Sequence, residues 1–116
     1  MRNRDKAHLE RVRSLPCVVG MQKKEWAKEC KGEVNAHHLI GGKYRGLSQK
    51  ASDFETIPLC HEGHHQFGKN AIHDSMGQHP WEAKYGTQEF HLDITRECLK
   101  RVYPQWDPVT GERIKT

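Results

Sequence analysis

The sequence predicts a small α+β domain, a metal-stapled ββα finger with flanking helices. Length and composition come first. The chain has 116 residues, 34% apolar and 29% charged, with a mean hydropathy of −0.93, so it is one domain around a core too small to be very stable without outside help. Three Trp, three Tyr and three Phe argue against disorder. The second observation is ligand content: nine histidines, six of them between positions 37 and 73, and four cysteines. The third is order, with two strand-like segments followed by a histidine-rich helical one.

The elements follow along the chain. Residues 4–14 read as a short, highly charged helix with Ala7, Leu9 and Val12 as its sparse apolar members. It ends before Pro16, because the residue ahead of a proline avoids helical geometry. Residues 15–20 form a short strand or knuckle, and residues 21–32 a polar insert with one helical turn over 24–28. Residues 33–40 give the first strand, followed by a loop rich in Gly, Lys, Arg and Ser. Residues 54–60 give the second, whose Pro58 belongs at an edge or an end. The stretch H-E-G-H-H-Q-F-G-K-N-A-I-H, residues 61–73, predicts a helix weakened by Gly63 and Gly68. A helical turn over 80–85 stops at Gly86, and a longer helix spans 88–102, with Phe90, Ile94 and Cys98 on one face near Leu99 and Val102. The tail carries the turn signal D-P-V-T-G and forms a small hairpin or trails. The domain reading is a basic arm at 1–14, a main domain at 15–103 and a tail at 104–116.

A formal charge of +4 and a pI near 8.9 suit a polyanionic partner without demonstrating one. No run of about 18 apolar residues exists to span a membrane, and no apolar block follows the basic start, so no secretory signal is read. The expected location is the cytoplasm, that of a bacterial host if the chain is phage-encoded. Four cysteines allow three disulfide pairings, but a reducing compartment favours metal ligation. Cys98, on the apolar helix face, reads as core.

The stretches L-P-C-V-V, V-N-A-H-H-L, A-S-D-F-E-T-I-P-L-C, H-H-Q-F-G-K-N-A-I-H and W-E-A-K-Y-G-T occur in that order between Leu15 and Thr87. In them the chain resembles the HNH endonucleases with a ββα-metal finger, and more closely the phage recombination-enhancement (Ref-type), RecA-dependent nucleases. The resemblance implies a metal-dependent endonuclease that hydrolyses DNA phosphodiester bonds with little sequence specificity. It acts in recombination or DNA processing, with a RecA filament as a partner, and leaves 5′-phosphate and 3′-hydroxyl ends.

By the same resemblance His38 is the general base that activates water, a role suited to an imidazole with an ordinary pKa of about 6.5. Asp53 orients that imidazole or binds the ion, and His37, His65 and His73 are candidates to hold a catalytic Mg²⁺ or Mn²⁺. Neighbours on a regular strand face opposite sides, so His37 and His38 enter one site only if the strand is bulged.

Cys17 and Cys60 stand where zinc-stapled members place thiolates. The C-x-x-C knuckle of that family has Gly20 here in its second place, and Cys30 substitutes, giving Cys17, Cys30, Cys60 and His64 as a Cys₃His set for structural zinc. The family reads P-L-C-x-x-H-H, whereas this chain has one extra residue, P-L-C-H-E-G-H-H. That insertion leaves open which of His61, His64 and His65 faces which metal. For DNA phosphates the candidates are Arg4, Arg11 and Arg13 near the start and Lys43, Arg45 and Lys50 in the basic loop. The alternative function is a zinc-stabilised DNA-binding module that does not cut.

Overall fold

In the computed structural model, residues 4–41, 51–74 and 77–114 are described. Asp5 starts the first helix, α1 (Lys6–Arg13), by accepting the His8 N–H on its side chain at 3.0 Å. Arg11 and Arg13 in the last turn complement the helix dipole. Residues 15–20 form a turn-rich knuckle rather than a strand, closed by Met21 N–H to Cys17 O at 3.0 Å. The insert carries the expected single turn, α2 (Lys24–Ala27).

Strands β1 (Val34–His38) and β2 (Thr56–Cys60) pair antiparallel in unbroken register from Val34 opposite Cys60 to His38 opposite Thr56. Among the described residues this is a two-stranded sheet, so both strands are edges and Pro58 fits without disrupting an interior ladder. The knuckle docks on it through Val18 N–H to Pro58 O at 2.8 Å. Two further helices, α3 (Gln78–Tyr85) and α4 (Gln88–Val102), complete the α+β fold. In the tail, Trp106 bridges Arg113 in antiparallel fashion. No described helix is long and apolar enough to cross a membrane.

Two expectations need correction. Residues 61–73 are not one helix. His61–His65 make a single π-helical turn, closed by Gln66 N–H to His61 O at 2.8 Å. The chain then reverses at Gly68, whose φ of +107° suits glycine. It returns alongside itself, with Ile72 N–H on His64 O at 2.9 Å and His73 N–H on His65 O at 3.0 Å. The physical reason is local: the π turn is wider than an α turn, and Gly63 and Gly68 weaken a helical continuation. In a continuous helix His73 would stand about 12 Å along the axis from His65; the return brings them together.

The second correction concerns α4. Its range is as expected, but its buried face is Gln88, His91, Leu92, Thr95 and Leu99, while Phe90 and Val102 are more than half exposed. Apolar periodicity caught only part of this face: Leu99 is buried and Ile94 and Cys98 pack half-buried against the cores, but most of the fully buried side chains are polar. Each has a local reason: Thr95 donates to His91 O at 2.8 Å, and Gln22 Nε2–H donates to His91 Nδ1 at 2.9 Å. Cys98, expected in the core, is half-buried beside Met21.

The main core gathers Val18, Leu39, Ile57, Leu59, Ile72, Trp81 and Tyr85 between the sheet, the knuckle and α3. A smaller one joins Val12 and Leu15 to Leu99, fastening α1 to α4. Leu99→Ala should therefore lower stability by about 2–4 kcal/mol in denaturant titrations. Two buried histidines outside the candidate site set a pH dependence. Burial pushes His8 down to about 4, opposed by Asp5 and aided by Arg11, and burial likewise pushes His91 down to about 4, opposed by the Tyr85 carbonyl and Glu82. Unfolded imidazoles titrate near 6.5, so below that pH the unfolded chain takes up protons that the fold refuses until about 4. Stability should fall as pH drops from 6.5 to 4, and a His8→Gln/His91→Gln variant should show a shallower fall in its denaturation midpoints.

Candidate metal centres

The knuckle supplies Cys17, the insert Cys30, the end of β2 Cys60 and the π turn His64. Their ligand atoms lie within 4.8 Å of one another. His64 Nδ1 is 3.5 Å from Cys17 Sγ, 3.7 Å from Cys30 Sγ and 3.1 Å from Cys60 Sγ. A zinc tetrahedron with Zn–S of about 2.3 Å and Zn–N of about 2.0 Å has S···N edges of about 3.5 Å. The cluster therefore fits a metal such as zinc.

Without a cation the thiols crowd one another. The Cys17–Cys60 hydrogen bond pulls Cys60 well below the usual thiol range and drives Cys17 up, while burial, then Cys60, pushes Cys30 up. A divalent ion resolves this by taking the sulfurs as thiolates.

Two glycines make the cluster sterically feasible. A Cβ on Gly20 would sit 2.5 Å from Cys30 Sγ, so the sulfur of Cys30 occupies the space that a side chain at the second knuckle position would fill. A Cβ on Gly63 would collide with Glu29 O and stand 2.7 Å from Cys60 Sγ. The π turn can meet the insert only because residue 63 has no side chain. Outside the ligands, His64 Nε2–H donates to Glu29 Oε1 at 2.9 Å, and Glu29 also accepts from Tyr85 Oη at 2.7 Å and Lys84 Nζ at 3.2 Å. This carboxylate aims the His64 Nδ1 lone pair at the sulfurs.

The second cluster is His37 from β1, His65 from the π turn and His73 from the return segment. Ring centroids are 5.0 Å apart for His37 with His65 and with His73, and 5.2 Å for His65 with His73. The π turn thus sends adjacent histidines to different clusters, His64 to the cysteines and His65 to the imidazoles. His61 joins neither cluster; it donates to Asn35 Oδ1 at 2.6 Å.

Supporting hydrogen bonds fix which nitrogen of each ring is available. Gln88 Nε2–H donates to Ile40 O at 2.9 Å and Gln88 Oε1 accepts from Ile40 N–H at 3.0 Å, which orients the amide. His37 Nε2 must then be the donor to Oε1, at 2.9 Å. Its Nδ1, buried with no protein partner, keeps a lone pair for an ion. In the same way His65 Nδ1–H donates to Asn35 Oδ1 at 2.9 Å, so Nε2 carries the lone pair, met here by the Gln66 amide at 3.4 Å. Burial first, then the neighbouring imidazoles, lowers His37 to about 3 and His65 to about 4, with the Gln88 bond opposing it at His37. Both rings are neutral at pH 7 and able to donate.

Three imidazoles suit a borderline cation such as Zn²⁺ better than Mg²⁺ or Mn²⁺, which favour oxygen ligands.

A cleft of about 410 Å³ lies over this cluster, lined by His37, His38, His65 and His73 together with Leu9 and Arg13 of α1. The bulge that sequence reasoning required is absent, and the register runs unbroken through His37 and His38. Both still line the cleft, which contacts every residue from Ala36 to Ile40. His38 Nε2–H donates to Asp53 Oδ1 at 2.7 Å. Asp53 stays ionised: burial opposes this, but His38, the Asp5 N–H and Arg4 hold its carboxyl below the usual range.

The other sequence candidates are dispersed. Arg4 Nη1 lies 3.2 Å from Asp53 Oδ1, Arg11 stacks over Trp106 at 4.3 Å, and Arg13 is exposed at the cleft. Lys43, Arg45 and Lys50 lie outside the described residues. Sequence reasoning missed Asn35, Gln88 and Glu29, ordinary polar residues whose roles appear only when distant segments meet.

Fold and site together define a small α+β protein with two candidate metal-binding clusters. The chain belongs to the family described as protein of unknown function (DUF968), whose model matches residues 1–101. No curated protein and no solved structure matches it.

If the cysteine cluster is a metal staple, Cys30→Ser should lose one metal equivalent per chain by elemental analysis and melt at lower temperature. Glu29→Gln should weaken zinc retention by about 10- to 100-fold against a chromophoric chelator. Gly63→Ala should behave like Cys30→Ser.

Proposed function

We propose that this protein is an HNH-type, metal-dependent endonuclease that hydrolyses DNA phosphodiester bonds with little sequence preference. The observation that carries the reading is the meeting, in one cleft, of an Asp-held histidine and a cluster of three imidazoles. The Cys₃His cluster is its structural zinc site, and the strands with the π turn are its ββα-metal finger, the helix shortened by the insertion.

His38 works as the general base. Its Nε2–H is committed to Asp53, so Nδ1 carries the lone pair that takes a proton from water. The activated water attacks phosphorus, the P–O3′ bond breaks, and the 3′ oxygen leaves and acquires a proton from solvent. A divalent ion held by His37, His65 and His73 would supply Lewis-acid stabilisation of phosphate charge. Asp53 positions His38 rather than touching substrate, and Arg13, exposed at the mouth of the cleft, is placed to meet a phosphate. A RecA filament, expected from the resemblance, is proposed as the partner that presents DNA.

Plasmid nicking in Mn²⁺ or Zn²⁺, with and without RecA and ATP, tests this. His38→Ala should cut about 10²- to 10⁴-fold more slowly while keeping its zinc and its DNA affinity. A variant that cuts as fast as the parent removes the mechanism; parent protein that binds DNA but never cuts it favours the non-catalytic DNA-binding module.

A further inference from the structure

The nuclease reading uses His38 and Asp53 but leaves open what holds Asp53. That carboxylate is buried, its side chain only 6% exposed, and its backbone is fastened by a turn in which Thr56 Oγ1–H donates to Asp53 O at 2.8 Å. The side chain is met from the other direction by the segment ahead of α1. Asp5 N–H donates to Asp53 Oδ2 at 2.7 Å, and Arg4 Nη1–H donates to Asp53 Oδ1 at 3.2 Å. The same Arg4 nitrogen donates to Ala51 O at 2.8 Å, bracing both ends of the 51–53 segment.

We propose that Arg4 and the backbone N–H of Asp5 are positioning groups for His38: they clamp Asp53 so that it holds the imidazole as the Nε2–H tautomer, leaving Nδ1 as the basic nitrogen facing the cleft. The proposal takes only the purpose of that nitrogen from the nuclease reading. A carboxylate with one oxygen saturated by a backbone donor and the other shared with a guanidinium has one orientation available. Loosened, it would release the ring to rotate and to exchange tautomers. Arg4, expected from sequence to touch DNA, becomes part of the dyad, and its charge balances the buried carboxylate as well as aiming it.

The alternative is a phosphate contact, and the two roles predict different kinetics. Arg4→Gln should lower kcat by about 10-fold or more with KM changed less than about 2-fold, and Arg4→Lys should recover part of the loss. A phosphate contact would instead raise KM, leave kcat unchanged and reduce the salt slope of DNA binding by about one; that result overturns the proposal. A second readout does not depend on cutting. Nitrogen-15 correlation spectra of the zinc-loaded protein should show His38 as a clean Nε2–H tautomer, becoming a mixture in Arg4→Gln and in Asp53→Asn. An unchanged tautomer in both variants overturns the proposal whatever the protein does to DNA. A shifted tautomer in a protein that never cuts would leave the clamp standing and retire only the nuclease reading.

Discussion

One turn of π helix governs how this protein is put together. Between His61 and Gln66 the backbone closes on an i-to-i+5 hydrogen bond, and that wider turn decides where two neighbouring imidazoles point. His64 enters the cysteine cluster and His65 the histidine cluster, so a single backbone feature sets the relation between the two. The carbonyls of the same two residues accept Ile72 N–H and His73 N–H, which makes the turn the template for the returning segment as well. Shifting it by one residue would misplace ligands in both centres together.

That geometry demands unusually close approaches, and glycine makes them possible. Gly63 lets the insert lie directly on the turn, and Gly20 vacates the volume that Cys30 Sγ fills. The knuckle supplies one sulfur, Cys17, and the insert brings a second, Cys30, to the same cluster. Polar support then comes from far away in sequence. Glu29 orients His64, Asn35 orients His65 and Gln88 orients His37. His37, His64 and His65 each have one ring nitrogen held by such a partner.

What was legible in the sequence follows from this. The helices at 6–13 and 88–102 and the two strands declare themselves through caps, proline and apolar spacing, which are local properties. The three cysteines and His64 come together only through the resemblance, which leaves His61, His64 and His65 unsorted; the structure groups His64 with the sulfurs. The π turn was not legible, since periodicity cannot separate a glycine-interrupted helix from a continuous one. Nor was the buried face of α4, where Gln88, His91 and Thr95 occupy positions that hydrophobicity assigns to solvent. Arg4 looked like a surface cation because its partner, Asp53, is 49 residues away.

The tail offers a last consequence. A Cβ on Gly111 would strike the Phe54 ring and come within 3.0 Å of Asp5 Oδ2, so the tail turn and the segment ahead of α1 meet beside Phe54. Phe54 is the immediate neighbour of Asp53, and bulk added at that turn would push on the residue next to the one that holds the His38 imidazole.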